Sequence, residues 1–179
     1  MAKANEQLSQ SVTKGDKLKK FGVGSAIMGT LALGACSSNQ DYARDIRSIA
    51  CEIVEDAGPD RVEVLNGERA SVSLVNNDVQ NGRGEPTDAS FTAFFPYDSE
   101  NTQNPRAKSL CDVIQNPDSE VSVLFANIPD SGDTKAASVI EVSIDGKTSN
   151  TDGSLTRQQR YEIRSVKDAF EDFKRVKGE

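Results

Sequence analysis

The sequence predicts an α+β fold, a mainly antiparallel sheet of about five strands with helices packed on one face, and three kinds of pattern point to it. Apolar residues recur at helical spacing in three segments and alternate with period two in five others. Turn signals join successive strands over short distances, which favours hairpins over parallel crossovers. The predicted order is helix, three strands, helix, two strands, helix, and the strand order within the sheet stays open.

Asp41 reads as the cap of a first helix reaching about Ala57, because Ile46, Ile49, Ala50, Ile53, Val54 and Ala57 share one face before Gly58-Pro59 stops the chain. Arg61 to Leu65 and Glu68 to Val75 flank Asn66-Gly67, the preferred pair for a two-residue type I′ turn in which both residues take positive φ. Asn76 to Asp88, rich in Asn, Gly and other breakers, reads as a long polar loop. Ser90 to Phe95 suits a third strand closed by Pro96.

Asn104 as cap and Pro105 at the first helical position open a short helix to about Asn116, carrying Leu110, Cys111 and Ile114. Glu120 to Ile128 places Val121, Val123 and Phe125 on one face, and Ala137 to Ile144 does the same with Ile140, Val142 and Ile144. These two strands are expected to pair. Gly146 to Ser154 reads as a flexible loop. Thr156 and Gln159 have capping-box spacing and start a last helix to about Val176, whose stripe of Ile163, Val166, Phe170 and Phe173 either packs on the sheet or receives a partner.

Composition narrows the function classes. The absence of Trp and an aromatic content of 6% predict a thin core. The absence of His excludes Ser-His-Asp and Cys-His catalysis, His-containing zinc sites and the usual proton shuttle near neutral pH. The first 35 residues hold Lys3, Lys14, Lys17, Lys19 and Lys20 against Glu6 and Asp16, so removing them takes the formal charge from −7 to −10. So acidic a surface disfavours nucleic acid. Arg157, Arg160, Arg164 and Lys167 are interleaved with Glu162 and Asp168, which reads as a solvated helix face rather than a polyanion groove.

No catalytic set, cofactor motif or metal site is assigned. Asp130, Gly132 and Asp133, like Asp145-Gly146 with Asp152-Gly153, suggest a calcium loop only loosely; neither has EF-hand spacing or its terminal Glu, and both read as turn chemistry. Gly82-Arg83-Gly84 is too short for a phosphate cradle.

The amino-terminal region has a different organisation. Lys17, Lys19 and Lys20 precede an uncharged run of 13 residues, Phe21 to Leu33. As a helix it would reach only about 20 Å, short of a bilayer core of roughly 30 Å. That order of lysines, apolar run and small-residue exit is the order of a secretory signal. The exit, Leu33-Gly34-Ala35-Cys36, resembles the lipobox of bacterial lipoproteins: an aliphatic residue, two small residues and a cysteine. The resemblance implies that residues 1–35 are a cleaved signal peptide, that the bond between Ala35 and Cys36 is cut, and that Cys36 carries diacylglycerol with acyl chains such as palmitate.

Residues 36–40 would then be a lipidated tether and 41–179 a single α+β domain, with the membrane engaged through Cys36 and the chain lodged in the cell envelope. Ser37, in place of Asp, implies the outer membrane facing the periplasm if the host has two membranes. The segment before the apolar run is longer than the family's usual handful of residues. The alternative reading is a buried Gly-rich helix over residues 21–35 with Cys36 an ordinary thiol.

With Cys36 committed to lipid, Cys51 and Cys111 remain. In an oxidising compartment they are expected to form a disulfide, the alternative being two separately buried thiols. The functional expectation is a non-enzymatic envelope lipoprotein that binds another envelope protein as an assembly or accessory factor. The runner-up is a periplasmic-side binding module for a glycan, lipid or small solute. A carboxylate-based hydrolase would need two carboxyls converging in a cleft.

Overall fold

A computed structural model describes residues 38–80, 86–98, 106–129, 137–150 and 153–177. Helix α1 (Asn39–Ala57) begins three residues earlier than the sequence suggests, because Ser38 rather than Asp41 is its cap. The Ser38 hydroxyl accepts the Asp41 N–H at 3.3 Å, and the Asp41 carboxylate accepts the Ser38 N–H at 2.9 Å. Asp41 is thus the return partner of a capping box. At the other end Gly58 has φ 83° and ψ 152°, a conformation that side chains beyond hydrogen rarely tolerate, and its N–H reaches the Val54 carbonyl at 3.1 Å.

Strand β1 (Glu63–Val64) pairs antiparallel with β2 (Arg69–Gln80). The turn between them is not the expected two-residue one. The Leu65 N–H bonds to the Arg69 carbonyl at 2.9 Å, so Asn66, Gly67 and Glu68 all lie in the connection. The Asn66 side chain accepts the Arg69 N–H at 3.1 Å and Gly67 takes φ 83°, so the side chain serves a donor that a tighter turn would satisfy with backbone.

Both described ends of the expected polar loop are strand. β2 runs on through Asn76 to Gln80, and β3 (Pro86–Pro96) starts early enough to pair Val79 with Thr87 and Gln80 with Pro86. Ladder bonds are made by backbone and ignore side-chain polarity; the register shifts between Asn76 and Val79, where apolar alternation also lapses.

Helix α2 (Ala107–Gln115) starts later than expected, and the proposed cap Asn104 with Pro105 lies outside the described residues. Ser109 closes its first turn, accepting the Arg106 N–H at 3.2 Å. Strands β4 (Val121–Pro129) and β5 (Ser138–Ile144) pair antiparallel from Val121 opposite Ile144 to Asn127 opposite Ser138, as the alternation predicts.

Where a flexible loop was expected, α3 (Gly146–Ser149) makes one helical turn, its cap Asp145 accepting the Thr148 N–H at 2.9 Å. The sequence of Gly, Thr, Ser and Asn conceals it because those residues are poor inside helices yet suit a capped single turn. Helix α4 (Arg157–Lys177) starts at the predicted capping box: Gln159 N–H to the Thr156 hydroxyl at 3.1 Å, Thr156 N–H to the Gln159 side chain at 3.0 Å.

The strands form one antiparallel sheet in the order β1-β2-β3-β4-β5, a meander that needs no crossover. Ala70, Val72 and Leu74 of β2 are buried with Phe91, Ala93 and Phe95 of β3, Val121, Val123 and Phe125 of β4, and Val142 and Ile144 of β5. Over them lie Ile46, Ile49, Ile53 and Val54 of α1 and Ile163, Val166, Phe170 and Phe173 of α4. The scarce aromatics are concentrated. The Phe91 ring stacks on Phe125 with centroids 4.8 Å apart and meets Phe170 and Phe173 edge-on at 5.0 and 5.3 Å, joining β3, β4 and α4.

A disulfide joins Cys51 of α1 to Cys111 of α2, with Cα atoms 5.1 Å apart and both residues buried. It closes a span of 60 residues that includes β1, β2 and β3. Cys51→Ser with Cys111→Ser is expected to lower unfolding free energy by about 2–4 kcal/mol, measured by urea denaturation of the oxidised parent and the variant.

Candidate functional site

Helix α1 presents three faces, and each meets a different neighbour. Its apolar face lies on the sheet. A second face carries Tyr42, Asp45 and Glu52, which receive Arg164, Lys167 and Lys174 of α4 at 2.7, 2.9 and 2.8 Å. Each pair is 122 residues apart, so the two helices run parallel in fixed register. The basic run of α4 therefore includes inter-helix contacts, and only part of it is a solvated face. The Arg164 guanidinium also sits 5.6 Å from the centre of the Tyr42 ring. The exposed Lys167–Asp45 pair contributes about 0–1 kcal/mol, so its main effect is alignment, while the other two contacts are part-buried.

The third face holds Arg47, which is only 5% exposed. Its guanidinium donates to the Ile114 carbonyl at 2.6 Å, the Pro117 carbonyl at 3.1 Å and the Ser119 carbonyl at 2.6 Å. A longer contact of 3.3 Å reaches the Ser149 hydroxyl of α3. Ile114 lies in the last turn of α2, where the helix carbonyls point out unpaired, so the cation serves as a C-terminal cap for α2 and fixes the turn into β4. Burial pushes its pKa below the ordinary arginine value, while Asp118 and Asp145 oppose that shift. Its Nε is buried without a partner among the described residues.

Beside Arg47 the three elements leave a cleft of about 580 Å³. Gln40, Ala43, Arg44 and Ser48 of α1 form one wall, Gln115 and Pro117 the second, and Ser149 and Asn150 the third. Arg44 reaches Asp41 at 3.0 Å across an exposed surface. Among the described residues, no Asp or Glu lines this cleft.

Among the sequence-predicted positions, Cys51 and Cys111 come together as expected, whereas Ala35 and Cys36 lie outside the described residues. The Glu55 carboxylate lies 3.7 Å from the Cys111 sulfur, but sulfurs bonded to each other offer no thiolate pair to a metal. Asp130, Gly132, Asp133 and Asp152 are also outside the described residues; Asp145 is engaged as a helix cap. Sequence reasoning missed Arg47 and its cleft. An arginine between Ile46 and Ser48 gives no local sign that a turn 70 residues away will bury it.

Comparison with protein families, with characterised proteins and with solved structures finds no match.

Removing the Arg47 fork leaves the buried Ile114 carbonyl and the part-buried Pro117 and Ser119 carbonyls without that donor. Arg47→Met is expected to cost about 3 kcal/mol by urea denaturation, and Arg47→Lys to recover only part of it, because one ammonium cannot span three divergent carbonyls.

Two charge clusters set opposite pH limits. Hydrogen bonds from the Ser38 backbone and hydroxyl lower the pKa of Asp41, with Arg44 adding to the shift; the Thr148 backbone N–H chiefly lowers that of Asp145. A carboxyl with a depressed folded value stabilises the fold above its unfolded value and stops doing so as pH falls through the folded one. Stability should therefore decline on acidification below the ordinary value of 3.8, and Asp145→Ala with Asp41→Ala should flatten that limb. Glu52, chiefly by hydrogen bonding, raises the pKa of Lys174, whose contribution is full below 10.5 and lost as pH rises through the raised value. Lys174→Met should flatten the alkaline limb, both limbs being read from thermal unfolding across pH.

Proposed function

We propose that the chain is the precursor of a membrane-anchored bacterial envelope lipoprotein whose folded domain acts without catalysis, as a protein-binding assembly or accessory factor. The observation that carries the reading is the ordered leader ending in Leu33-Gly34-Ala35-Cys36. The lysines stay on the cytoplasmic side, the apolar run enters the export channel, and cleavage before Cys36 leaves a lipidated amino terminus. Two or more acyl chains, at about 0.8 kcal/mol per buried methylene, give durable anchoring where one chain is marginal. The Cys51–Cys111 disulfide supports export, since such bonds persist outside the cytoplasm. In a host with two membranes, Ser37 favours the outer one.

The sheet supports the binding role. Its outward face bears Val75 at 64%, Val139 at 63% and Ile128 at 46% exposure among small polar residues such as Ser73 and Thr92. An outward face with exposed apolar residues of that kind suits a protein neighbour better than an enclosed solute. The cleft beside Arg47 favours a second reading, a module that binds a small solute or a lipid group.

Mass spectrometry of the mature protein should find an amino terminus at Cys36 carrying diacylglycerol, and Cys36→Ala should abolish both processing and acylation. An unprocessed native chain with an unmodified Cys36 would refute the anchor. A photocrosslinker at Val139 should give a discrete adduct with one envelope protein, lost on Val75→Lys; a smear of unspecific adducts would count against the binding role.

A further inference from the structure

We infer that the cleft between α1, α2 and α3 is a binding site for a phosphate-bearing ligand, with Arg44 and Arg47 receiving its oxygens. The charge contrast comes first. After Cys36 the chain carries −10, yet among the described residues this concavity is lined by two arginines with amide and hydroxyl groups and no carboxylate, Asp41 touching Arg44 from outside the lining. Arg44 and Arg47 lie three residues apart on α1, and Gln115 and Asn150 face them from α2 and the end of α3. Donors arriving from three elements match a tetrahedral group with several acceptor oxygens; a planar carboxylate would be satisfied by a single guanidinium fork.

Part of the donor set is uncommitted, although the Asn150 amide donates to the Gly146 carbonyl at 2.7 Å. The side chains of Gln40, Ser48 and Gln115 make no hydrogen bond among the described residues, and the Arg44 pair with Asp41 is exposed enough to exchange for a stronger partner. Arg47 supplies a fixed positive floor, buried and held by carbonyl dipoles rather than by a carboxylate contact. Asp118 and Asp145 offset part of its charge from a distance, and with no carboxylate in direct contact the guanidinium retains an attraction for an anion. The volume of about 580 Å³ exceeds what a bare ion fills, leaving room for an ester substituent.

The phosphate can belong to a soluble ester or to a lipid headgroup, and one experiment separates these sources. The full chain carrying Cys36→Ser, in a nonionic detergent free of phosphate, is unfolded thermally with increasing inorganic phosphate or glycerol phosphate, against chloride at equal ionic strength. A second arm replaces the soluble anions with phosphatidylglycerol added to the micelles. The expected result is a saturable rise in Tm in at least one arm. Arg44→Gln, and Ser48→Leu as a surface change that fills the cleft, should each weaken it roughly tenfold while leaving the unliganded Tm near that of the parent.

A response in the first arm assigns a soluble ester, and a response in the second alone assigns a lipid headgroup. No rise beyond chloride in either arm overturns the site, as does a rise that both variants retain. Neither arm uses acylation at Cys36, so failure here leaves the anchor reading standing, and loss of the anchor leaves this site standing.

Discussion

The rotational setting of α1 is the constraint on which the rest of the structure depends. Ile46, Ile53 and Val54 are fully excluded from solvent against the sheet, and that burial allows the helix only one rotation about its axis. Once it is fixed, Tyr42, Asp45 and Glu52 must face α4, and Arg47 must face the end of α2. The disulfide at Cys51 then holds α2 against the same helix one turn further along. Dispersion and area burial provide the stabilisation, while the polar contacts at the flanks select among the ways helices could slide over a flat sheet.

This division explains which parts of the fold were legible. The last helix was readable to its first residue because Thr156 and Gln159 satisfy each other locally, needing nothing distant. The strands of β4 and β5 were readable because one buried and one outward face impose alternation on the sequence itself. At Asn76 to Gln80 that imprint fails. There the pairing is maintained by backbone hydrogen bonds that no side chain reports, so a strand looked like a loop.

The candidate site was illegible for a related reason. Cys51 and Cys111 announce a possible bond by their chemistry alone, whatever the fold between them. Arg47 has no such signature. Its role depends on Ile114, Pro117 and Ser119 arriving in one place, and each contributes a carbonyl that every residue type possesses. Gln115 and Asn150 are equally ordinary as sequence, and become a binding wall only when α2 and α3 are brought to α1.

The proposed anchor gives this arrangement a direction. Cys36 precedes the Ser38 cap by two residues, so a lipid-held amino terminus would leave the start of α1 close to the leaflet. Because α4 runs parallel to α1 in a register set by Tyr42 with Arg164, its own start belongs to that same end. Gln40, Arg44 and Ser48 fall within the first three turns of α1, so the proposed anchor would put the arginine-lined cleft at the membrane-proximal end of the domain. The acidic charge of −10 would repel free anions approaching from bulk solution over distances of a Debye length. A ligand already confined beside the domain escapes that repulsion in proportion to its local concentration, so under the proposed anchor a lipid phosphate would be favoured over a soluble one.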